Sequence, residues 1–311
     1  MNRKIGEYLG QEKGPLIIGI GGTHGNELAG VKALKTVLEM LVQEPSKNPS
    51  FVFKGKFVAI HGNIAAMKAN KRFIDKDLNR NYSKTRLYNL EEPVFTEDRE
   101  ALEIIQFVKD EISAYNPQEV VIIDLHTTSS PGGIFTIVPN LKDCLELAKT
   151  LHAPVIQGMV TGVKGTTMNY FNSENLGVHT KTLTFESGQH DDPMSITIAI
   201  AAVIALLRGV KSVEPHDVES HHDQILKNFS KDLPKMTKLV MKHTIIDPAS
   251  FNMLPGYLNF QKVKKGEIVA NNRFGPIRIV EDGLLLMPLY QKQGEDGFFL
   301  IKKIDEDEFY Q

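Results

Sequence analysis

The sequence predicts an α/β fold: a mixed, mainly parallel sheet with helices on both faces, followed by a small C-terminal β-rich domain. Three observations carry this. Strand-like and helix-like segments alternate through the first two-thirds of the 311 residues, the pattern of strands joined by helical crossovers. The run Val120-Val121-Ile122-Ile123 is apolar without a break, as expected of a strand covered on both faces. After about Arg208 the texture changes to short apolar bursts separated by turn residues, which reads as a β-rich appendage.

Taken in order, strands are predicted at 15–21, 51–61, 119–125, 134–138, 154–158 and 181–186, and helices at 26–43, 97–114, 141–151 and 193–209. The first strand rests on the run Leu16-Ile17-Ile18-Gly19-Ile20. The first helix places Leu28, Val31, Leu34, Val37, Leu38 and Leu41 at three- and four-residue spacing, which makes one apolar stripe. Ile196 to Leu207 is apolar but shorter than the roughly 20 residues that span a bilayer, and reads as a buried helix. Residues 211–224 are polar and carry His216, His221 and His222, which could bind adventitious metal, and a helix-like stretch follows around 220–242. From His243 onward the turn signals are Asp247-Pro248, Pro255-Gly256, Lys265-Gly266, Phe274-Gly275-Pro276, Asp282-Gly283 and Asp296-Gly297. The expected organisation is a catalytic domain at 1–210, a helical connection at 211–242 and a β-rich domain at 243–311.

Composition narrows the function classes. A formal net charge of −2 argues against bulk nucleic-acid binding, which needs a basic surface, and leaves room for a local cationic pocket that takes an anionic small molecule. With Cys144 as the only cysteine there is no intrachain disulfide and no cysteine-rich metal site. The polar start, Met1-Asn2-Arg3-Lys4-Ile5-Gly6-Glu7, lacks the apolar core of a signal peptide. The expectation is a cytoplasmic protein with a small-molecule partner, no nucleic acid and no membrane; a homo-oligomer stays open.

The chemistry gathers where strands end. In open α/β sheets ligands collect at the carboxyl ends of the strands. The first strand runs into Gly21-Gly22-Thr23-His24-Gly25-Asn26-Glu27. His24 and Glu27 lie three residues apart across a glycine-rich turn, so imidazole and carboxylate can converge on one divalent metal. The alternative is a plain turn with Glu27 complementing the dipole of the next helix. A dinucleotide fingerprint fails, because the third glycine would fall on His24.

The strand at 119–125 ends in Asp124-Leu125-His126. Residues two apart on a strand share a face, so His126 can be a third metal ligand and Asp124 an acceptor that orients an imidazole. Two histidines and a glutamate make a complete protein ligand set for catalytic zinc. Alternatively His126 is a hydrogen-bonded core residue. Thr127 to Gly133 is a small-residue loop suited to lining a pocket.

Arg72 to Asn81 follows a helical-looking segment near 63–71, and its arginines suit bidentate capture of a carboxylate, or simply a solvated loop. Glu186 ends the run Thr182 to Phe185, where partial burial would raise its pKa into a useful range for proton transfer. Ser187 is not in a Gly-x-Ser-x-Gly elbow, which lowers a serine-hydrolase reading.

Gly22-Thr23-His24-Gly25-Asn26-Glu27, Asp77-Leu78-Asn79-Arg80, Asp124-Leu125-His126 and Glu186, in that order, resemble the aspartoacylase and succinylglutamate desuccinylase family. That family is similar to the zinc carboxypeptidases in its catalytic domain and carries an extra C-terminal β domain. The resemblance implies zinc held by His24, Glu27 and His126. It implies Glu186 as the base that activates water and later protonates the leaving amine. Arg72 would polarise the scissile carbonyl, and Asn79 and Arg80 would bind the substrate carboxylate. The implied function is zinc-dependent hydrolysis of an amide bond in a small N-acyl amino acid or related compound. A zinc carboxypeptidase acting on a peptide or cell-wall fragment, and a non-catalytic metal- or ligand-binding protein, are the alternatives.

Two departures stand out. Aspartoacylases proper carry a further substrate-binding arginine directly after a threonine-rich stretch, where Gly165-Thr166-Thr167 is here followed by Met168; Lys164 is the nearest positive charge. They also carry a C-terminal tyrosine that reaches the site. Here Gln293 to Phe299 has none, and Tyr290 lies upstream.

Overall fold

The computed structural model describes residues 1–88, 92–214 and 221–310; His216 lies outside them. The strands are β1 (Lys4–Leu9), β2 (Glu12–Gly21), β3 (Lys54–His61), β4 (Glu119–Thr128), β5 (Phe135–Ile137), β6 (Val155–Gln157), β7 (His179–Gln189), β8 (Met236–Thr244), β9 (Asn252–Met253), β10 (Gln261–Val263), β11 (Ile268–Asn272), β12 (Gly275–Arg278), β13 (Gly283–Leu286) and β14 (Asp296–Lys303). The helices are α1 (Ala29–Lys47), α2 (Ile64–Ala69), α3 (Lys84–Tyr88), α4 (Thr96–Tyr115), α5 (Lys142–Lys149), α6 (Met159–Gly162), α7 (Thr167–Tyr170), α8 (Ser173–Leu176), α9 (Met194–Gly209) and α10 (His221–Ser230). One sheet runs β1-β3-β2-β4-β7-β5-β6-β8-β14-β13-β10, and β12-β11-β9 form a second, smaller one.

The central strands β3, β2, β4 and β7 are mutually parallel. Their period-2 alternation decides the two layers. Ile17, Phe57, Ala59, Val121, Ile123, Leu183 and Phe185 pack with the stripe of α1 and the apolar α9. Leu16, Ile18, Ile20, Val58, Ile60, Val120 and Ile122 pack with Ala101, Ile104, Ile105 and Val108 of α4. The fold is thus a mixed sheet with helices on both faces and a β-rich C-terminal part.

Three differences from the sequence expectation have physical causes. Strand β1 is half-exposed and, among the described residues, pairs only with β3 as an antiparallel edge, so no buried apolar run marks it. Helix α1 begins at Ala29 rather than at residue 26, which leaves Glu27 in the turn before it and not in its first turn. The stretch 220–242 is helical only over His221–Ser230; Pro234 follows, and 236–244 is strand β8. Proline lacks a backbone N–H and is disfavoured inside a helix, and a short apolar run fits either period. Strand β8 pairs in parallel with β6 and antiparallel with β14, so the C-terminal strands extend the main sheet. Among the described residues, no helix is long and apolar enough to cross a membrane.

Candidate active site

At its carboxyl end the α4-facing side of the sheet stops being apolar. On β4 the alternation that buries Val120 and Ile122 continues into Asp124 and His126, and on β7 it continues into Thr184 and Glu186. Parallel register sets Asp124 beside Thr184 and His126 beside Glu186, so these side chains share one face. Strand β2 ends level with Leu125, at Gly21. A tight turn, Glu27 N–H donating to His24 C=O at 3.0 Å, then folds His24 and Glu27 toward each other.

The three ligand-type residues meet. One donor atom each of His24, Glu27 and His126 lie within 4.8 Å of one another, and all three residues are buried. His24 Nδ1 is 2.9 Å from Glu27 Oε1, and His126 Nδ1 is 3.1 Å from Glu27 Oε2. Each imidazole turns its other nitrogen to a second carboxylate. His24 Nε2 lies 3.1 Å from Asp77 Oδ1. His126 Nε2 lies 2.9 Å from Asp124 Oδ2, a contact of charges outside hydrogen-bond alignment. Those carboxylates are themselves fixed: Thr23 and Thr167 hydroxyls donate to Asp124 at 2.7 and 2.8 Å, and Asn79 N–H donates to Asp77 at 2.8 Å. Imidazoles oriented from behind by carboxylates are what a metal centre of this type requires.

Charge makes the same case. Glu27, Asp77, Asp124 and Glu186 are buried together. Arg72 answers two of them, reaching Asp77 at 3.0 Å and Glu27 at 3.3 Å. Burial alone would raise Glu27, but the imidazoles of His24 and His126 override it and hold the carboxyl well below the usual range. Asp77 is likewise held down against burial, chiefly by Arg72 and His24. Burial would lower His126, yet Asp124 and Glu27 push it well above the ordinary imidazole value. Glu186 goes the other way. Burial, opposed by His126 and reinforced by the Glu27 charge, pushes it up to about 8, and its Oε2 has no hydrogen-bond partner among the described residues. A divalent cation fits this donor set: two imidazoles, one carboxylate and an excess of buried negative charge.

These residues line a cavity of about 100 Å³, together with Arg72, Asn79, Arg80, Thr127, Thr128, Ser129 and Met168. The Asn79 amide oxygen accepts from Thr167 N–H at 2.9 Å. All seven residues singled out for the site therefore fall in one place. Lys164 does not; it is exposed and outside the cavity wall. Tyr290 turns away, its hydroxyl bonded to the Leu254 carbonyl and the Tyr257 N–H.

Sequence reading missed the roof. Met287, Leu289, Gln291, Gly294, Glu295 and Asp296 close the cavity from the C-terminal part. Gln291 accepts from Asn26 at 2.9 Å, and Gln293 accepts from Arg72 N–H and donates to the Phe73 carbonyl, both at 3.1 Å. It also missed Glu97, which is fully buried and accepts from the N–H groups of Ile74, Asp75 and Lys76. That carboxylate pins the loop bearing Arg72 and Asp77. An acid in the first turn of α4 was its only local signal.

The glycine before Asn26 is required by packing. A Cβ on Gly25 would sit 2.2 Å from the Ala66 carbonyl carbon and 2.3 Å from Met67 N, both in the backbone of α2. Gly25→Ala is therefore expected to cost about 1–3 kcal/mol of stability, read as a lower denaturation midpoint in urea. An unchanged midpoint would mean that the turn does not rest on α2.

Fold and site together define a class: an α/β domain that gathers two histidines and a glutamate at the carboxyl ends of parallel strands, roofed by a C-terminal β part. Residues 13–210 match the family model of the succinylglutamate desuccinylase/aspartoacylase catalytic domain, and the chain belongs to that family. It is 36% identical over 134 residues to a probable aspartoacylase of Nostoc sp., a match spanning 42% of this chain and 42% of that relative. It is 27% identical over 289 residues to the succinylglutamate desuccinylase of Photorhabdus laumondii, covering 81% of this chain and 85% of that one. The solved structure of a succinylglutamate desuccinylase/aspartoacylase from Rhodobacter sphaeroides superposes with a TM-score of 0.64 at 16% identity, covering 94% of this chain and 87% of that chain, and is similar in fold.

Proposed function

We propose that the protein is a zinc-dependent amidohydrolase that cleaves the amide bond of a small N-acyl amino acid or related anionic compound. The observation that carries this reading is Glu186: a buried carboxyl with a raised pKa and an unpartnered oxygen, set beside the His24-Glu27-His126 trio in one cavity. Those three residues would hold the zinc. A zinc ion bound there supplies Lewis acidity and lowers the pKa of water from about 15.7 to about 7.

The chain's own residues do the rest. Glu186 takes a proton from the attacking water and later returns it to the leaving amine. The Arg72 guanidinium faces the negative charge that develops on the carbonyl oxygen. Asn79 and Arg80 receive the substrate carboxylate. The cavity of about 100 Å³ is well below the roughly 300–1,000 Å³ of clefts that take drug-sized ligands, which supports a compact acyl amino acid over a peptide.

The test is a hydrolysis screen of N-acetyl and N-succinyl amino acids on protein of measured zinc content. Turnover of at least one is expected; zinc bound at one per chain with no hydrolysis of any would favour a binding protein instead. Stoichiometry is also measured on a variant lacking His216, His221 and His222. Removing the metal with a chelator is expected to abolish turnover and to lower the melting temperature. Binding at about 1,000 times Kd contributes about 4.1 kcal/mol, and the metal offsets buried carboxylates. A melting temperature unmoved by chelator would count against the metal site.

A further inference from the structure

We propose that Asp296 is a specificity-determining residue: it occupies Arg80 and turns the site away from dicarboxylates, toward N-acyl amino acids with one carboxylate and an apolar side chain. The inference rests on the amide-hydrolase reading and adds the chemistry of the molecule bound.

Arg80 is engaged on both terminal nitrogens. Nη2 donates to Asp296 Oδ2 at 2.7 Å, and Nη1 donates to the Asn79 carbonyl at 2.8 Å. A free guanidinium grips a carboxylate with two parallel N–H groups; here, among the described residues, only Nε is without a partner. The pair is largely buried, with the side chains of Arg80 and Asp296 20% and 5% exposed, so solvent screens it little. Lys242 approaches Asp296 Oδ1 at 3.4 Å and helps to hold the carboxylate in place. Nε is buried and without a hydrogen-bond partner among the described residues, so it alone is left to pair with a substrate carboxylate beside Asn79, and a second carboxylate meets opposition.

Two further features point the same way. Glu295 adds another carboxylate to the cavity wall, with no ion pair among the described residues. Part of the cavity wall is apolar, formed by Ile137, Met159, Val163, Met168 and Phe299. A second carboxylate would be desolvated against that wall with no partner, or set against Glu295 and Asp296. Like charges placed against the wrong ligand are a common device of specificity. An apolar side chain incurs neither cost and buries its surface on the Met168 wall.

The test measures binding without turnover, by titration calorimetry on zinc-loaded Glu186→Gln protein, with N-acetyl-L-leucine, N-acetyl-L-aspartate and N-succinyl-L-glutamate as probes. The leucine compound is expected to bind about tenfold more tightly than either dicarboxylate, and adding Asp296→Asn should close most of that gap by strengthening the dicarboxylates. A merely structural ion pair would weaken all three alike, and that result overturns the proposal, as does a parent protein that prefers dicarboxylates or binds none of the probes. If Asp296→Asn does not fold, the parent ratio and Met168→Arg decide, the latter being expected to strengthen the dicarboxylates selectively. Selective binding with no hydrolysis of any N-acyl compound by the unsubstituted enzyme would sink the hydrolase reading alone; a reversed preference with turnover intact would sink this proposal alone.

Discussion

Glu186→Gln is expected to retain zinc at the stoichiometry of the unsubstituted protein while turnover falls by about 10²–10⁴-fold, the range for losing a positioned acid–base group. Glutamine matches the shape of the carboxyl and cannot accept the proton. The substitution should not unfold the chain, because Glu186 Oε2 makes no hydrogen bond, and burial opposes ionisation of the carboxyl, pushing its pKa to about 8. A group placed for chemistry at a cost to the fold leaves the melting temperature unchanged or raised when neutralised. Zinc content by elemental analysis, kcat on an N-acyl amino acid and a thermal melt give the three readings. Near-normal kcat at full zinc content would remove Glu186 from the mechanism.

Arg72→Ala carries the second large effect, and it divides in two. Loss of a group that stabilises the oxyanion costs about 2.7–4 kcal/mol in the barrier, or about 10²–10³-fold in kcat. Arg72 also reaches Asp77 through Nε and Nη2, at 3.2 and 3.0 Å, and Asp77 is 1% exposed. Deleting one partner of a buried pair is destabilising by about 3–5 kcal/mol. Arg72→Lys separates the roles. It keeps a positive charge near Asp77 and should recover much of the stability, yet it lacks the planar fork and should remain slow. The readings are the urea midpoint and kcat for both variants. Should Arg72→Lys regain full kcat, charge alone is enough; should Arg72→Ala keep kcat within a few-fold, the residue serves only to hold Asp77.

Much of the site was legible because its residues sit at places that local pattern marks. Apolar runs locate β2, β4 and β7, and the polar residues that end them, His24 with Glu27, His126 and Glu186, stand out against what precedes. What local pattern could not mark were residues whose work depends on a distant partner. Glu97 looks like any acid in a first helical turn, yet it binds a run of backbone N–H groups some twenty residues away. Asp296-Gly297 looks like a turn, yet Asp296 opens β14 and is buried against Arg80. The strand β8 was lost to a helical reading for the same reason, since its pairing partners β6 and β14 lie on either side of it in the chain.

By itself, the sequence determined the alternation of strands and helices, the β-rich tail and the motif residues of the family, because periodicity and strand-end position are properties of neighbouring residues. Only the tertiary structure decided that Asp77 stands behind the His24 imidazole and that the segment from Met287 to Asp296 roofs the cavity. It also decided that Arg80 is already held by a carboxylate 216 positions away. Such charge pairing and closure are set by how the sheet brings remote segments together, and nothing in the local spacing of residues encodes that distance.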